Sequence, residues 1–324
     1  MTPLILAIPS KGRLQDNALA FLARAGLKVG RPRGGRENRG TISGLPGVEV
    51  AFLSASEIAR ELAEGRAHMG LTGLDLIHET VDDEADRAAR LHIITPLGFG
   101  PADVVVAVPE SWIDVDTMAD LADVAERHRA RHGTTLRVAT KFFNLTRRHF
   151  AAHGVEDYRI VESAGATEGA PAAGTADLIV DITTTGATLV ANQLKILSDD
   201  PILTSEASFV LSRRAAWSPD LIALAVTITD RICAELRAGD IMELRARVPN
   251  PDTALAEAKS RFSARAPFGT TTTPLSLHVA SNRASECAAW LRLIGAETVV
   301  VHQVAGVYEP NPLTQKLIAA LKSA

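Results

Sequence analysis

The stretch DLIVDITTTGATL, residues 177–189, decides how the chain is read. An apolar run ends at Asp181, and Thr183, Thr184, Thr185, Gly186 and Thr188 follow at once. Leu189, Val190, Ala191, Leu194 and Ile196 then recur at a spacing that predicts a helix. A strand that stops at small hydroxyl residues and turns into a helix is a cradle for phosphate. The helix N-terminus presents unpaired backbone N–H groups and partial positive charge. Threonine hydroxyls add donors, and Gly186 lets the backbone approach an anion closely. Asp181, at the strand end, is placed to accept hydrogen bonds from sugar hydroxyls.

Outward from this stretch, strand-length apolar runs alternate with segments of helical period. Residues 4–8, 48–53 and 68–72 predict one group of strands, with helices over 14–25, stopped by Gly26, and 57–64, capped by Ser56 and stopped by Gly65. Residues 104–108, 137–140 and 177–181 predict a second group, with helices over 146–152 and from 188 onward. Such alternation predicts α/β lobes with mostly parallel sheets. After about residue 218 the pattern becomes α+β. A long amphipathic helix over 220–238 precedes strands at 242–248, 275–280 and 298–304, with helices at 252–262, 284–294 and 313–321. The expected organisation is a first lobe of residues 1–95 plus about 195–218, a second lobe of 96–194 holding the cradle, and a C-terminal α+β domain of 219–324.

Composition removes several function classes. With 46% hydrophobic and 22% charged residues the chain is expected to fold rather than stay disordered. A formal net charge of −4 argues against a general nucleic-acid binder. No apolar run reaches the roughly 18 residues of a membrane span. Residues 2–9 lack a preceding basic segment and read as a buried strand rather than a secretion signal, so a cytoplasmic location is expected. Cys233 and Cys287, the two cysteines, have neither metal-binding nor disulfide-framework spacing.

Other turns carry candidate chemistry. Lys11, Gly12 and Arg13 follow strand 4–8 at a strand-to-helix turn, where open α/β sheets bind ligands. Cations in a first helical turn oppose the helix dipole, which points to a ligand anion; a solvated helix start is the alternative. Thr72 and Gly73 offer donors at a second such turn, and Asp75 is either a ligand contact or a helix cap. Thr140 and Lys141 end a strand of the second group. Residues 30–40, with Arg31, Arg33, Arg36 and Arg39, read as a solvated connection or as a triphosphate clamp. His128, His132, His149 and His153 fall on polar helical stretches and are expected at the surface. No P-loop, dinucleotide fingerprint, nucleophile elbow or zinc spacing is present.

Together these stretches resemble the ATP phosphoribosyltransferase family. The strongest match runs from Glu168 through Gly174, Thr175 and Ala176 to Asp181, Thr185, Gly186, Ala187, Thr188 and Leu189. Lys11-Gly12-Arg13-Leu14, Gly70-Leu71-Thr72-Gly73-Leu74-Asp75, Leu97-Gly98-Phe99-Gly100 and residues 137–147 are similar to further family blocks. The resemblance implies two periplasmic-binding-protein-like (type II) lobes with the site in the cleft between them. It implies transfer of phosphoribosyl from phosphoribosyl pyrophosphate (PRPP) to N1 of ATP, the first step of histidine biosynthesis. Mg²⁺ is implied too, brought with the pyrophosphate and without assigned protein ligands. Carried over, Asp181, Thr184, Thr185, Gly186, Ala187 and Thr188 would hold PRPP. Lys11 and Arg13 would act with Asp181 in catalysis, facing phosphates. Gly12, Thr72, Gly73, Asp75, Thr140, Lys141 and Glu168 are the candidate ATP contacts.

Long-form members carry a ferredoxin-like regulatory domain that binds histidine, and residues 240–324 match it in size and order. Short-form members use a separate regulatory subunit, which the sequence leaves open. A homo-oligomer, dimer or hexamer, is implied, and neither nucleic acid nor membrane is. Two alternatives stand beside this reading. One is a non-catalytic two-lobed solute-binding protein. The other is a salvage phosphoribosyltransferase, which commonly places two acids before its Thr-Gly turn, where this chain has Asp181-Ile182.

Overall fold

The computed structural model describes residues 2–30, 38–163, 165–271 and 273–322. Along the chain, β1 (Leu4–Pro9), α1 (Gly12–Arg24), β2 (Val29–Gly30), β3 (Arg39–Ile42), β4 (Val48–Leu53), α2 (Ala55–Ala63), β5 (Met69–Gly73), α3 (Leu74–Thr80), α4 (Glu84–Arg90) and β6 (Leu91–Pro96) build the first lobe. The second contains β7 (Ala102–Pro109), α5 (Met118–His132), β8 (Leu136–Thr140), α6 (Phe143–Ala152), β9 (Tyr158–Glu162), β10 (Leu178–Thr183), α7 (Ala187–Ala191), β11 (Leu194–Ile196) and β12 (Leu203–Ser205). The chain then returns as β13 (Ala207–Ser212) and α8 (Pro219–Ala238). Last come β14 (Ile241–Ala246), α9 (Pro251–Phe262), β15 (Leu275–Ala280), α10 (Ala284–Leu293), β16 (Val299–Gln303) and α11 (Pro312–Lys322).

The first sheet has the order β2-β3-β4-β1-β5-β13-β6, and the second β11-β7-β10-β8-β9 with β12 also on β7. In the first, β1 runs parallel to β4 and β5, while the returning β13 is antiparallel to β5 and β6. In the second, β8 runs parallel to β9 and β10, while the entering β7 is antiparallel to β10 and β11. Each sheet therefore reads second, first, third, crossing strand, fourth, which is the pair of type II lobes that the resemblance implies. β1 is apolar almost throughout because both faces of a central parallel strand are covered. The two crossing segments are tied together: Leu97 N–H donates to the Ala207 carbonyl (2.9 Å), Ala207 N–H to that of Phe99 (3.1 Å), and Gly98 N–H to the Glu206 carboxylate (3.2 Å).

Several local expectations are corrected. The cap of α2 is Ser54, not Ser56: its hydroxyl accepts from Glu57 N–H, and the Glu57 carboxylate accepts from Ser54 N–H. The helix predicted from residue 188 ends at Ala191, because Gln193 takes a left-handed φ of 58° and turns the chain back. Leu194 and Ile196 then lie in an edge strand paired with β7. With β12 also on β7, the return to the first sheet starts after Ser205 rather than at about 195.

The boundary at 219 shifts for a packing reason. Leu221, Ala225, Ile228 and Ile232 form one stripe of α8 and enter the core of the first lobe, joined by Leu317 and Ala320 of α11. What stands apart is the antiparallel sheet β15-β14-β16 with α9 and α10, around Leu244, Leu277, Phe262 and Trp290. Both cysteines are buried and free. No helix among the described residues is long and apolar enough to cross a membrane.

Candidate functional site

Both candidate turns sit at the C-terminal ends of strands facing the gap between lobes. β1 ends at Pro9, and Lys11 occupies the N-cap position of α1 in extended backbone, without a side-chain cap and with no acid in the first turn. Gly12 follows with φ 73° and open space where a side chain would go. This backbone leaves Lys11 and Arg13 exposed rather than folded onto the helix. Lys11 is near enough to Glu57 to help draw its carboxyl down, though the Ser54 hydrogen bonds do most of that.

Across the gap, β10 ends in Asp181, Ile182 and Thr183. A cavity of about 500 Å³ opens there, lined by Arg13 from the first lobe and by Glu168, Asp181, Thr183, Thr184, Thr185 and Thr188 from the second. Asp181 is partly buried; burial raises its carboxyl, and the Glu168 charge adds to that, while Ile182 N–H (2.8 Å) and the Lys141 charge pull it down. Lys141 is exposed at the end of β8, with Nζ 4.9 Å from the centre of the Phe142 ring. Its charge reaches both Asp181 and Asp75.

The hydroxyls of the turn are not equivalent. Thr183 Oγ1 accepts from Gly186 N–H (2.9 Å), and Thr185 Oγ1 from Ala187 N–H (3.4 Å). A hydroxyl that accepts in this way keeps its proton to donate to a ligand. Thr184 Oγ1 instead donates to the Pro101 carbonyl on the crossing segment (3.1 Å). Gly186 carries φ 73°, a conformation that costs other residues about 1–2 kcal/mol. It is buried behind the turn, where Ile196 stands 3.6 Å from the position of a Cβ.

The cavity thus gathers Arg13, Glu168, Asp181, Thr184, Thr185 and Thr188 from the predicted set, with Lys11 and Gly12 adjoining in the chain and Lys141 near enough to act by charge. Thr72 and Thr140 are fully buried: Thr72 donates its proton to the Ala55 carbonyl (2.8 Å), and Thr140, which accepts from Phe142 N–H (2.9 Å), is set apart from the turn threonines by its burial. A side chain at Gly73 would meet Asp75 Oδ1 at 2.2 Å. Asp75 itself is buried against Ser205, whose hydroxyl donates to it (2.7 Å) and accepts from its N–H (3.0 Å). Thr183, part of the threonine run but not among the residues that the resemblance assigns to PRPP, lines the cavity with them. Arg31, Arg33 and Arg36 lie outside the described residues; Arg39 pairs with Glu49 on the neighbouring strand. His132 and His153 are exposed as expected, while His149 is half-buried, and burial lowers it to about 4. Among the described residues no group of three or more His, Cys, Asp or Glu is placed to hold a metal.

Comparison with known proteins points one way. A family model described as "HisG: ATP phosphoribosyltransferase" matches residues 54–233. The chain is similar to the ATP phosphoribosyltransferase of Nitrobacter winogradskyi, 56% identical over 326 residues and covering 99% of each chain. The enzyme of the same name from Bradyrhizobium diazoefficiens is 56% identical over 324 residues, again covering 99% of each. Among solved structures, a chain from the "ATP phosphoribosyl transferase (HisG:HisZ) complex from Thermotoga maritima" superposes with a TM-score of 0.55 at 26% identity, covering 71% of this chain and 95% of that one.

Proposed function

The chain belongs to the ATP phosphoribosyltransferase family, the pentosyltransferases that begin histidine biosynthesis, and from that membership we propose how its cleft carries the transfer. PRPP lies in the cavity between the lobes. Its 5′-phosphate sits on the turn of residues 184–188, with the hydroxyls of Thr183, Thr185 and Thr188 as donors. Asp181 accepts from the ribose hydroxyls. Arg13 and Lys11, on the opposite wall, face the pyrophosphate, Arg13 with its planar fork and Lys11 as a point charge. ATP enters from the side of Lys141 and Glu168.

The observation that carries this reading is Arg13 of one lobe lining the same cavity as Asp181 and the threonine turn of the other. Ribosyl transfer builds positive charge on the sugar and negative charge on the departing pyrophosphate. A site of donors, cations and carboxylates therefore suffices, and no nucleophilic side chain is needed. The divalent metal that the family uses would neutralise the pyrophosphate as Mg²⁺. Glu168 and Asp181 are the carboxylates that line the cavity where it would enter. Residues 241–303 are the candidate regulatory piece, with histidine as effector.

Mixing the purified chain with ATP, PRPP and Mg²⁺ should yield phosphoribosyl-ATP and pyrophosphate. Product from a free purine or pyrimidine base instead of ATP would favour a salvage enzyme, and binding without product a solute-binding protein. The same assay with added histidine tests the regulatory assignment, and activity of the chain alone removes the need for a second subunit.

A further inference from the structure

The two lobes are joined on one side of the cleft by α3, which contacts the second lobe at both ends. At its start, Asp75 exchanges hydrogen bonds with Ser205 of β12, and Leu74 N–H donates to the Glu206 carbonyl (3.1 Å). At its end, the Glu79 carboxylate receives Asn144 N–H on both oxygens (3.0 and 3.1 Å) and Leu145 N–H (3.1 Å), while Asn144 Nδ2 donates to the Glu79 carbonyl (2.8 Å). Just beyond α3, Asp82 pairs with Arg148 (2.9 Å).

Why these contacts form is written in α6. Its N-cap residue, Phe142, makes no side-chain cap, and its first turn holds no acid. The leading N–H groups of any helix need partners and favour a carboxylate. Here the missing cap comes from the other lobe. It can be supplied only while the lobes hold this relative angle, because a hinge opening on this side would strip α6 of its acceptor. Two residues before α6 stands Lys141, whose charge reaches Asp181.

We propose that Glu79 is a positioning residue: by capping α6 across the cleft it holds the lobes at the angle that binds PRPP, setting Lys141 and the Asp181 turn opposite Arg13. This rests on the assignment of that turn to PRPP. A protein whose competent angle is only partly populated binds more weakly in proportion.

The decisive variant is Glu79→Ala with Asn144→Asp, which removes the acceptor that α6 borrows from the other lobe while giving α6 an acid in its own first turn. Small-angle scattering of the ligand-free protein should show a larger radius of gyration. The KM for PRPP should rise roughly fivefold, the size of a typical helix-terminus charge effect, with kcat and melting temperature near wild type. If Glu79 merely stabilised α6, the built-in acid would restore wild-type dimensions and KM; that result, or a lowered KM, overturns the proposal. Should the double variant not fold, Glu79→Gln alone decides, since it weakens the latch by removing its charge while keeping the side chain. A KM rise of roughly twofold with a larger radius of gyration supports the latch, and wild-type values for both overturn it. The scattering uses no ligand, so it still decides if the PRPP assignment itself fails.

Discussion

The two turns that we propose to hold PRPP meet at one cavity and differ in kind. The turn at residues 11–13 presents charge: Lys11 and Arg13 stand exposed at an uncapped helix start, against the dipole, on a backbone bent by Gly12. The turn at residues 181–188 presents geometry: its hydroxyls are fixed by Gly186, Ala187 and Pro101, and its one carboxylate is partly buried. Exposed charge suits a leaving pyrophosphate, whose position changes during reaction. A fixed set of donors suits a phosphate that must not move while the sugar reacts. Substitutions should therefore act differently on the two sides.

The largest effects are expected at the charged groups, Arg13 on one side and Asp181 on the other. Arg13→Ala should lower kcat/KM for PRPP by about 10² to 10³, as loss of a preorganised charge donor does, with the melting temperature unchanged because Arg13 is exposed. Next comes Thr183→Val, which removes a donor and leaves the Gly186 N–H without its acceptor. A KM for PRPP raised by about tenfold is expected, together with a lower melting temperature. Thr185→Val and Thr184→Val split the remainder. The Thr185 proton is free for phosphate, so about fivefold in KM is expected; the Thr184 proton already serves Pro101, so about twofold is expected. Equal effects at the two positions would break the distinction drawn between the hydroxyls. Steady-state kinetics on the three threonine variants checks all of this.

The remaining effect is on stability rather than on activity. Burial lowers His78 and His149 to about 4, from an ordinary 6.5. Below 6.5 the unfolded chain takes up protons that the folded one refuses, so stability present above about 6.5 is lost as pH falls toward about 4. Melting curves over that window should fall, and His149→Gln should flatten part of the slope. A flat wild-type profile would contradict the assigned burial.

Legibility followed the range of the forces involved. Strands β4 and β15 were readable to the residue because a continuous apolar run is local information. The end of a strand near Asp181, running into a turn of threonines, was local information too. The end of α7 was not: Leu194 and Ile196 fit a helical period as well as a strand, and only pairing with β7 decides between them. The amphipathic stripe of α8 was plain, but nothing local told that it packs on the first lobe instead of the C-terminal sheet. Thr72 and Thr140 read as ligand donors because the sequence shows neither that the Ala55 carbonyl takes the Thr72 proton nor that Thr140 is fully buried. Glu79 lies 65 residues from Asn144, and no spacing rule joins them.

The most direct test of the account is kcat/KM for PRPP in Asp181→Asn, measured beside its melting temperature. Burial raises the Asp181 carboxyl, so its charge costs the fold something, and a neutral isostere should hold or raise the melting temperature. The account predicts a stable protein that has lost about 10² to 10³ in kcat/KM for PRPP. A stable variant with wild-type kcat/KM would contradict it.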